Sequence, residues 1–284
     1  MLFLILAMNN SKRVNETQRI GFNNFRRRCE TCSLDSYLIA TRSRHYRDII
    51  SYNYHWVDKM NKKDILYLGS QSASRQKLLR DAQIPFKTLD HASDEQIDVL
   101  GLSFEEHVLA IAQSKIRSLV LPDPKVLSCH PGQGPGIHLE SIQKTFPIFV
   151  LTADTLIRLS KTGTIMGKPT SRDHARSMLE REAQEPLEII TGCCLEKMYN
   201  ESGTWVTREK IHWTTGAMAE FVVSSDQIDA YLDAMPMAMY CCGAGMVEGF
   251  GAQFLKSING SYSAVIGLPM FELKEALKKL KFNF

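Results

Sequence analysis

No apolar run in this 284-residue chain approaches the roughly 20 residues that a membrane-spanning helix needs. The opening Met1–Met8 run is apolar but has no basic residue before it, which makes it a poor secretory signal. With 10 prolines and 17 glycines the sequence is too sparse in both for a collagenous or low-complexity chain. Also missing are GxxxxGK[ST], GxGxxG after a strand, HExxH and GxSxG. Their absence excludes a standard P-loop, a Rossmann nucleotide binder, a zincin and a nucleophile-elbow hydrolase. The seven cysteines, without a secretory signal, read as reduced thiols of a cytoplasmic protein. Cys193-Cys194 and Cys241-Cys242 fall in expected strands, where neighbours face opposite sides. They are therefore expected to be buried thiols rather than ligand pairs.

A large excess of charge is lacking too. The net charge of +3 hides an uneven division. Residues 1–59 hold ten Lys and Arg against five Asp and Glu, whereas residues 60–284 hold 24 against 26. The N-terminal part carries Arg26-Arg27-Arg28, a Cys29-x-x-Cys32 pair, His45 and His55, and no sustained apolar period. A lone CxxC without a properly spaced second pair is weak evidence for zinc. Residues 1–59 read as a poorly ordered extension or a misassigned start before Met60, and no nucleic-acid partner is expected. Residues 60–284, with 44% of the whole chain hydrophobic, are long enough for one substantial core.

From residue 64 the pattern becomes regular. Ile65 to Leu68 predicts a strand, Ser70 to Ser74 a polar loop, and Arg75 to Ala82 a helix. Ser103 caps a second helix running to about Leu119, with Glu106 in the capping-box position. Residues 121–147 contain five prolines and three glycines and read as an inserted surface loop. His130 and His138 within it are expected to be solvated rather than metal-bound. Strands are expected at 149–152, 157–159 and 164–166, then a helix from Ser171 to Glu182. Further strands are expected at 187–198, 204–215 and 219–223, a helix from Ser225 to Leu232, strands near 253–258 and 262–266, and a helix from Pro269. Strands and helices alternate without a strict βαβ repeat, which argues for an α/β domain around a mixed sheet.

Three features carry chemistry. Gly69-Ser70-Gln71-Ser72-Ala73-Ser74-Arg75 lies between strand and helix, and its hydroxyls, helix N–H groups and guanidinium could cradle an anion. Lys115 falls at about 20° on the helix wheel from Phe104, inside the stripe of Val108, Ile111 and Leu119. Either it snorkels, or it reaches inward to a phosphate. Asp154 is expected at the end of an apolar strand, where open α/β folds place ligands. Gly167-Lys168-Pro169 follows, and Asp94-Glu95 supplies further carboxylates. A carboxylate able to hold Mg²⁺, two lysines and an arginine are what polyphosphate hydrolysis requires.

The chain resembles the Maf nucleotide pyrophosphatases in an ordered set of motifs. These are Ser70-x-Ser72-x-x-Arg75-x-x-Leu78-Leu79, Asp94-Glu95, Ala112-x-x-Lys115, Ala153-Asp154-Thr155, Gly167-Lys168-Pro169 and Thr191-Gly192. Gly243-Ala244 through Glu248-Gly249-Phe250-Gly251, and Ile258-x-Gly260 through Gly267-Leu268-Pro269, complete it. The resemblance covers about residues 64–281. It implies an α/β fold, a mixed sheet flanked by helices in two lobes with a central cleft. It also implies Mg²⁺-dependent (or Mn²⁺-dependent) hydrolysis of a nucleoside triphosphate to a monophosphate and pyrophosphate, and a homodimer. Asp154 would accept the proton, and Glu95 would help hold metal and water. Arg75, Lys115 and Lys168 would clamp phosphates, with Ser70 and Ser72 cradling the triphosphate.

The positions linked to substrate choice fall on Ser74, Thr155 and Glu248. Thr155 agrees with the dTTP/UTP-type members, Glu248 and Cys241 with the 7-methyl-GTP type, and Ser74 with neither. A carboxylate accepts from guanine's ring N–H and amine and attracts a 7-methylated ring, so the residues lean to a 7-methyl-GTP-like substrate. The alternative is dTTP or UTP. The alternative of another class is a non-catalytic nucleotide-binding regulator of cell division. The chain also departs from the family at Ala183, Gln184 and Leu187, where many members have Ser-Gly and His before Thr-Gly.

Overall fold

The computed structural model describes residues 63–91, 100–124 and 147–284. The expectations for residues 1–59, for Glu95 and for His130 and His138 lie outside the described residues. Seven strands form one mixed sheet: β1 (Leu66–Leu68), β2 (Phe86–Thr88), β3 (Ile148–Leu159), β4 (Ile165–Met166), β5 (Leu187–Glu201), β6 (Thr204–Phe221) and β7 (Leu255–Gly260). Their order is β2-β1-β3-β5-β6-β7, with β4 beside β3. β1 runs parallel to β2 and β3, and every other pairing is antiparallel. Helices α1 (Ala73–Asp81), α2 (Phe104–Arg117), α3 (Arg172–Glu182), α4 (Ile228–Ala234), α5 (Tyr262–Ile266) and α6 (Met270–Lys279) flank it. The expected mixed α/β architecture is therefore present. Among the described residues no helix is long and apolar enough to cross a membrane.

Several boundaries differ from the sequence reading. The segments 149–152 and 157–159 are one strand, because β5 pairs with β3 continuously from Ile148 to Leu159 and carries the polar Asp154 and Thr155 along. Asp154 therefore lies inside a strand, not at its end. Likewise 204–215 and 219–223 fuse into β6, because residues 215–219 stay paired with β5 and β7 pairs on through Phe221. Residues 262–266 are helix α5 rather than a strand. Ser261 caps it by accepting from the Ala264 amide at 3.3 Å, and Gly267, at φ 121°, ends it. A short apolar run fits either state, and the cap decides. Cys241-Cys242 lies among short 3-10 turns, not in a strand. Cys193 and Cys194, by contrast, are buried on opposite faces of β5 as expected.

The core is divided by a polar seam. On one face of the sheet Ala153 and Cys193 belong to a cluster with Leu79, Phe149 and Leu277. Further along the same strands Ile157 and Ile189 belong to another with Leu179, Phe221 and Tyr231. Between them sit Thr155 and Thr191, paired in register. Hydroxyls in place of aliphatic side chains at this row separate two apolar lobes.

Candidate active site

The site sits at a gap in the sheet. β1 covers β3 only as far as Leu151, where the Gly69 amide donates to the Leu151 carbonyl at 2.8 Å. β4 takes over at Ile157 and Arg158. Between these stretches β3 has β5 as its only strand partner among the described residues. Backbone groups left without a ladder need other partners. The Ala153 carbonyl receives Lys115 Nζ at 3.2 Å, and the Thr155 carbonyl receives the Cys242 thiol at 3.1 Å. Burial pushes that thiol up to about 11, so it stays a neutral donor. This place, where the parallel strand turns away and an antiparallel one begins, is the kind of crevice in which open sheets bind ligands.

Lys115 reaches the gap because of how α2 is seated. Ser103 and Glu106 form the expected capping box at its start. A Cβ on Gly192 of β5 would lie 3.0 Å from the Leu109 backbone, so a glycine here lets α2 lie this close without crowding. Thr152 Oγ1 donates to the Ala112 carbonyl at 2.5 Å, fixing the helix along β3. Three residues on, Lys115 Nζ donates to Asp154 Oδ1 at 2.6 Å. Lys115 therefore points inward to Asp154 rather than snorkelling to solvent. Burial lowers its pKa most; Asp154 opposes that, and the charges of Arg75 and Lys168 add to the lowering. Arg75 and Lys168 thus lie close enough for their charges to act on Lys115.

Arg75 is buried on the other side of β3. Its Nε donates to the Gly267 carbonyl at 2.7 Å, Nη1 to Ser70 Oγ at 3.1 Å and Nη2 to Thr155 Oγ1 at 3.0 Å. Thr191 Oγ1 donates to the Ala264 carbonyl at 2.7 Å, so Thr155, 2.8 Å away, donates to Thr191. The chain of bonds runs from guanidinium to two hydroxyls to a carbonyl across the polar seam. Three bonds leave two of the five guanidinium N–H groups for a ligand. Ser72 caps α1 through the Arg75 amide, and Ser70 also accepts from the Ser72 amide at 3.3 Å.

The remaining expected residues lie around this group. Lys168 is exposed after β4 and makes no ion pair among the described residues. Its loop is held by the Gly243 amide donating to the Gly167 carbonyl at 2.9 Å. Ser74 is half-buried in the first turn of α1. Glu248 is half-buried at the head of the Gly249–Phe254 turn, and its charge acts on Cys241, as do those of Lys168 and Arg75. Glu95 lies outside the described residues. Sequence reasoning missed the bracing roles of Thr191, Cys242 and the Gly267 carbonyl. Thr191 and Gly267 stood in the ordered motifs, but nothing in their types announced a partner.

Chemically, the gap offers one carboxylate, one lysine paired to it through Oδ1 and an anchored guanidinium, with a second, exposed lysine nearby. That set carries the cations to attract a polyanion and a carboxylate oxygen able to take a proton.

The stretch of chain that holds the described site residues matches known proteins. A family model described as "Maf-like protein" matches residues 65–280. A "dTTP/UTP pyrophosphatase" of Bacillus velezensis is 27% identical over 218 residues, covering 77% of this chain and 97% of that protein. One of Caldicellulosiruptor bescii is 26% identical over 226 residues, covering 77% and 96%. One of Yersinia pestis is 29% identical over 212 residues, covering 75% and 91%.

Proposed function

The chain belongs to the Maf family, and from that premise we propose that it hydrolyses a pyrimidine nucleoside triphosphate, dTTP or UTP, to the monophosphate and pyrophosphate. The observation that carries the reading is the Lys115–Asp154 pair inside the strand gap, flanked by Arg75 and Lys168. The lean toward a 7-methyl-GTP-like substrate finds no support in the relatives, whose names favour the pyrimidine alternative. Thr155 agrees with that alternative, and Glu248 remains a departure from it.

In this reading Lys168 and the two unused N–H groups of Arg75 bind phosphate oxygens, while Lys115 orients Asp154 through Oδ1. Asp154 Oδ2 takes the proton of a water that attacks the α-phosphorus. The new O–P bond forms as the bond from the α-phosphorus to the bridging oxygen breaks, and pyrophosphate leaves with that electron pair. Preorganised cations stabilise the charge that develops there. The donor set suits a divalent metal held in part by substrate phosphates: Asp154, with Glu95, would provide the one or two carboxylates that Mg²⁺ takes in such sites. When bound, Mg²⁺ or Mn²⁺ neutralises charge on the phosphates. We further assign residues 60–284 as the catalytic unit, residues 1–59 as an extension to it, and a cytoplasmic homodimer as the working form.

A panel of dTTP, UTP, GTP and 7-methyl-GTP, with pyrophosphate and orthophosphate measured separately, tests this. Pyrophosphate released fastest from dTTP or UTP is the expected result. Release of orthophosphate, or preference for 7-methyl-GTP, would overturn the assignment.

A further inference from the structure

On the face of the sheet that α2 covers, a second cluster of chemically able side chains stands apart from the strand gap. Cys194 of β5 lies directly opposite His212 of β6, and Glu196 follows two residues along β5 on the same face. Sγ, a ring nitrogen and a carboxylate oxygen from these three all lie within 4.8 Å of one another. We propose that Cys194, Glu196 and His212 form a binding site for a thiophilic divalent transition metal, Zn²⁺ fitting best, with a fourth position open to solvent.

Thiolate, imidazole and carboxylate at about 2.0 to 2.3 Å are the ligands zinc takes, and three of them plus an open position make a recurrent zinc arrangement. Tetrahedral bonds of those lengths place ligand atoms about 3.3 to 3.7 Å apart. Side-chain shifts of about an ångström therefore close the site with no movement of the paired strands. Cys194 Sγ already lies 3.8 Å from Glu196 Oε1. A thiolate ligand excludes Mg²⁺ and Ca²⁺, which take oxygen.

The ligands are also held from behind. Gln113 Nε2 of α2 lies 2.8 Å from His212 Nδ1. Turning that amide end for end brings its oxygen to the ring, where it would accept the Nδ1 proton and leave Nε2 as the free lone pair. Thr207 donates to Glu196 Oε2, leaving Oε1 to the metal. Cys194 is buried, whereas Glu196 and His212 are half-exposed, so the fourth position faces outward. Lys210, paired with Glu196 across the strands, is the one positive charge that opposes a cation here among the described residues. Loading breaks the S–H bond of Cys194, forms a sulfur–metal bond and passes one proton to the buffer; no electron is transferred.

The Cys29-x-x-Cys32 thiols could also take zinc, so the test uses full-length protein with Cys29→Ser and Cys32→Ser. After chelator treatment it is titrated with Co²⁺ and then with Zn²⁺. The expected result is one equivalent of Co²⁺ with a near-ultraviolet thiolate-to-cobalt band, displaced by Zn²⁺, with about one proton released on loading. Cys194→Ala should abolish the band, and Gln113→Ala should weaken binding about 10- to 100-fold. His212→Ala, at a half-exposed position, should also abolish binding and serves where Cys194→Ala does not fold. No band, or a band unchanged in His212→Ala, would overturn the proposal.

Discussion

Replacing Glu182 by leucine should stabilise the protein at neutral pH, and by an amount that grows with pH. Glu182 ends α3 only 1% exposed, and neither carboxylate oxygen has a hydrogen-bond partner among the described residues. It is packed beneath the Gly243-Ala244-Gly245 turn, so close that a Cβ on Gly243 would fall 1.8 Å from Oε1. Burial raises its pKa well above the ordinary 4.5. Between that ordinary value and the raised one, the folded state holds a proton that the unfolded state has released. Stability contributed by this group is therefore full below pH 4.5 and is lost as pH rises through that window. Each pH unit within that window costs about 1.4 kcal/mol, a noticeable share of a total stability of about 5 to 15 kcal/mol. Urea unfolding of wild type, Glu182→Leu and Glu182→Gln at pH 5, 6, 7 and 8 measures it. Both variants should gain about 1.4 kcal/mol on wild type for each pH unit within that window. A void left by leucine would shift its curve equally at every pH, so it cannot imitate the change in slope. Parallel curves for all three proteins would refute the reasoning.

Lys115→Met removes a cation from the phosphate path and strands the Ala153 carbonyl; kcat/KM for the preferred triphosphate should fall about 100-fold, near 3 kcal/mol. Steady-state kinetics checks this, and an unchanged kcat/KM contradicts it. Thr155→Val leaves an Arg75 N–H and the Thr191 hydroxyl without their shared partner and should cost about 2 kcal/mol in urea unfolding. Equal stability would show that the seam does not depend on this hydroxyl. Gly192→Ala should push α2 off β5, lowering stability by about 1 to 3 kcal/mol and kcat/KM with it, because Lys115 travels on α2. Lost stability with full activity would separate the helix seat from the site.

Most of the fold was legible where local signals agreed. Ser103 and Glu106 announce α2 by a reciprocal cap, and Ser171 announces α3 by its position before an amphipathic run. The strands were legible as apolar runs but not in extent. Asp154 and Thr155 break the apolar pattern of β3, and only the tertiary pairing with β5 shows that the strand continues through them. Helix α5 was misread because five mostly apolar residues carry too little periodicity to separate helix from strand.

The candidate site was legible as residue types in order, since Lys115 on an apolar stripe and Asp154 after an apolar run both contradict burial unless something pairs them. What the sequence could not express was the unpaired edge of β3, which makes the gap, or the Thr155–Thr191 row that anchors Arg75. Both arise from which strands stop where. Glu182 gave no signal either, because one acidic residue at the end of an amphipathic helix ordinarily faces water.

The central claim is that Asp154, held by Lys115 in the strand gap, accepts the proton of the attacking water. Pyrophosphate release from dTTP and UTP by wild type and Asp154→Asn, both confirmed folded by circular dichroism, tests it most directly. The asparagine keeps the shape and the Lys115 contact but cannot take the proton, so kcat should fall about 100- to 10,000-fold. Equal turnover in the two proteins would contradict the account.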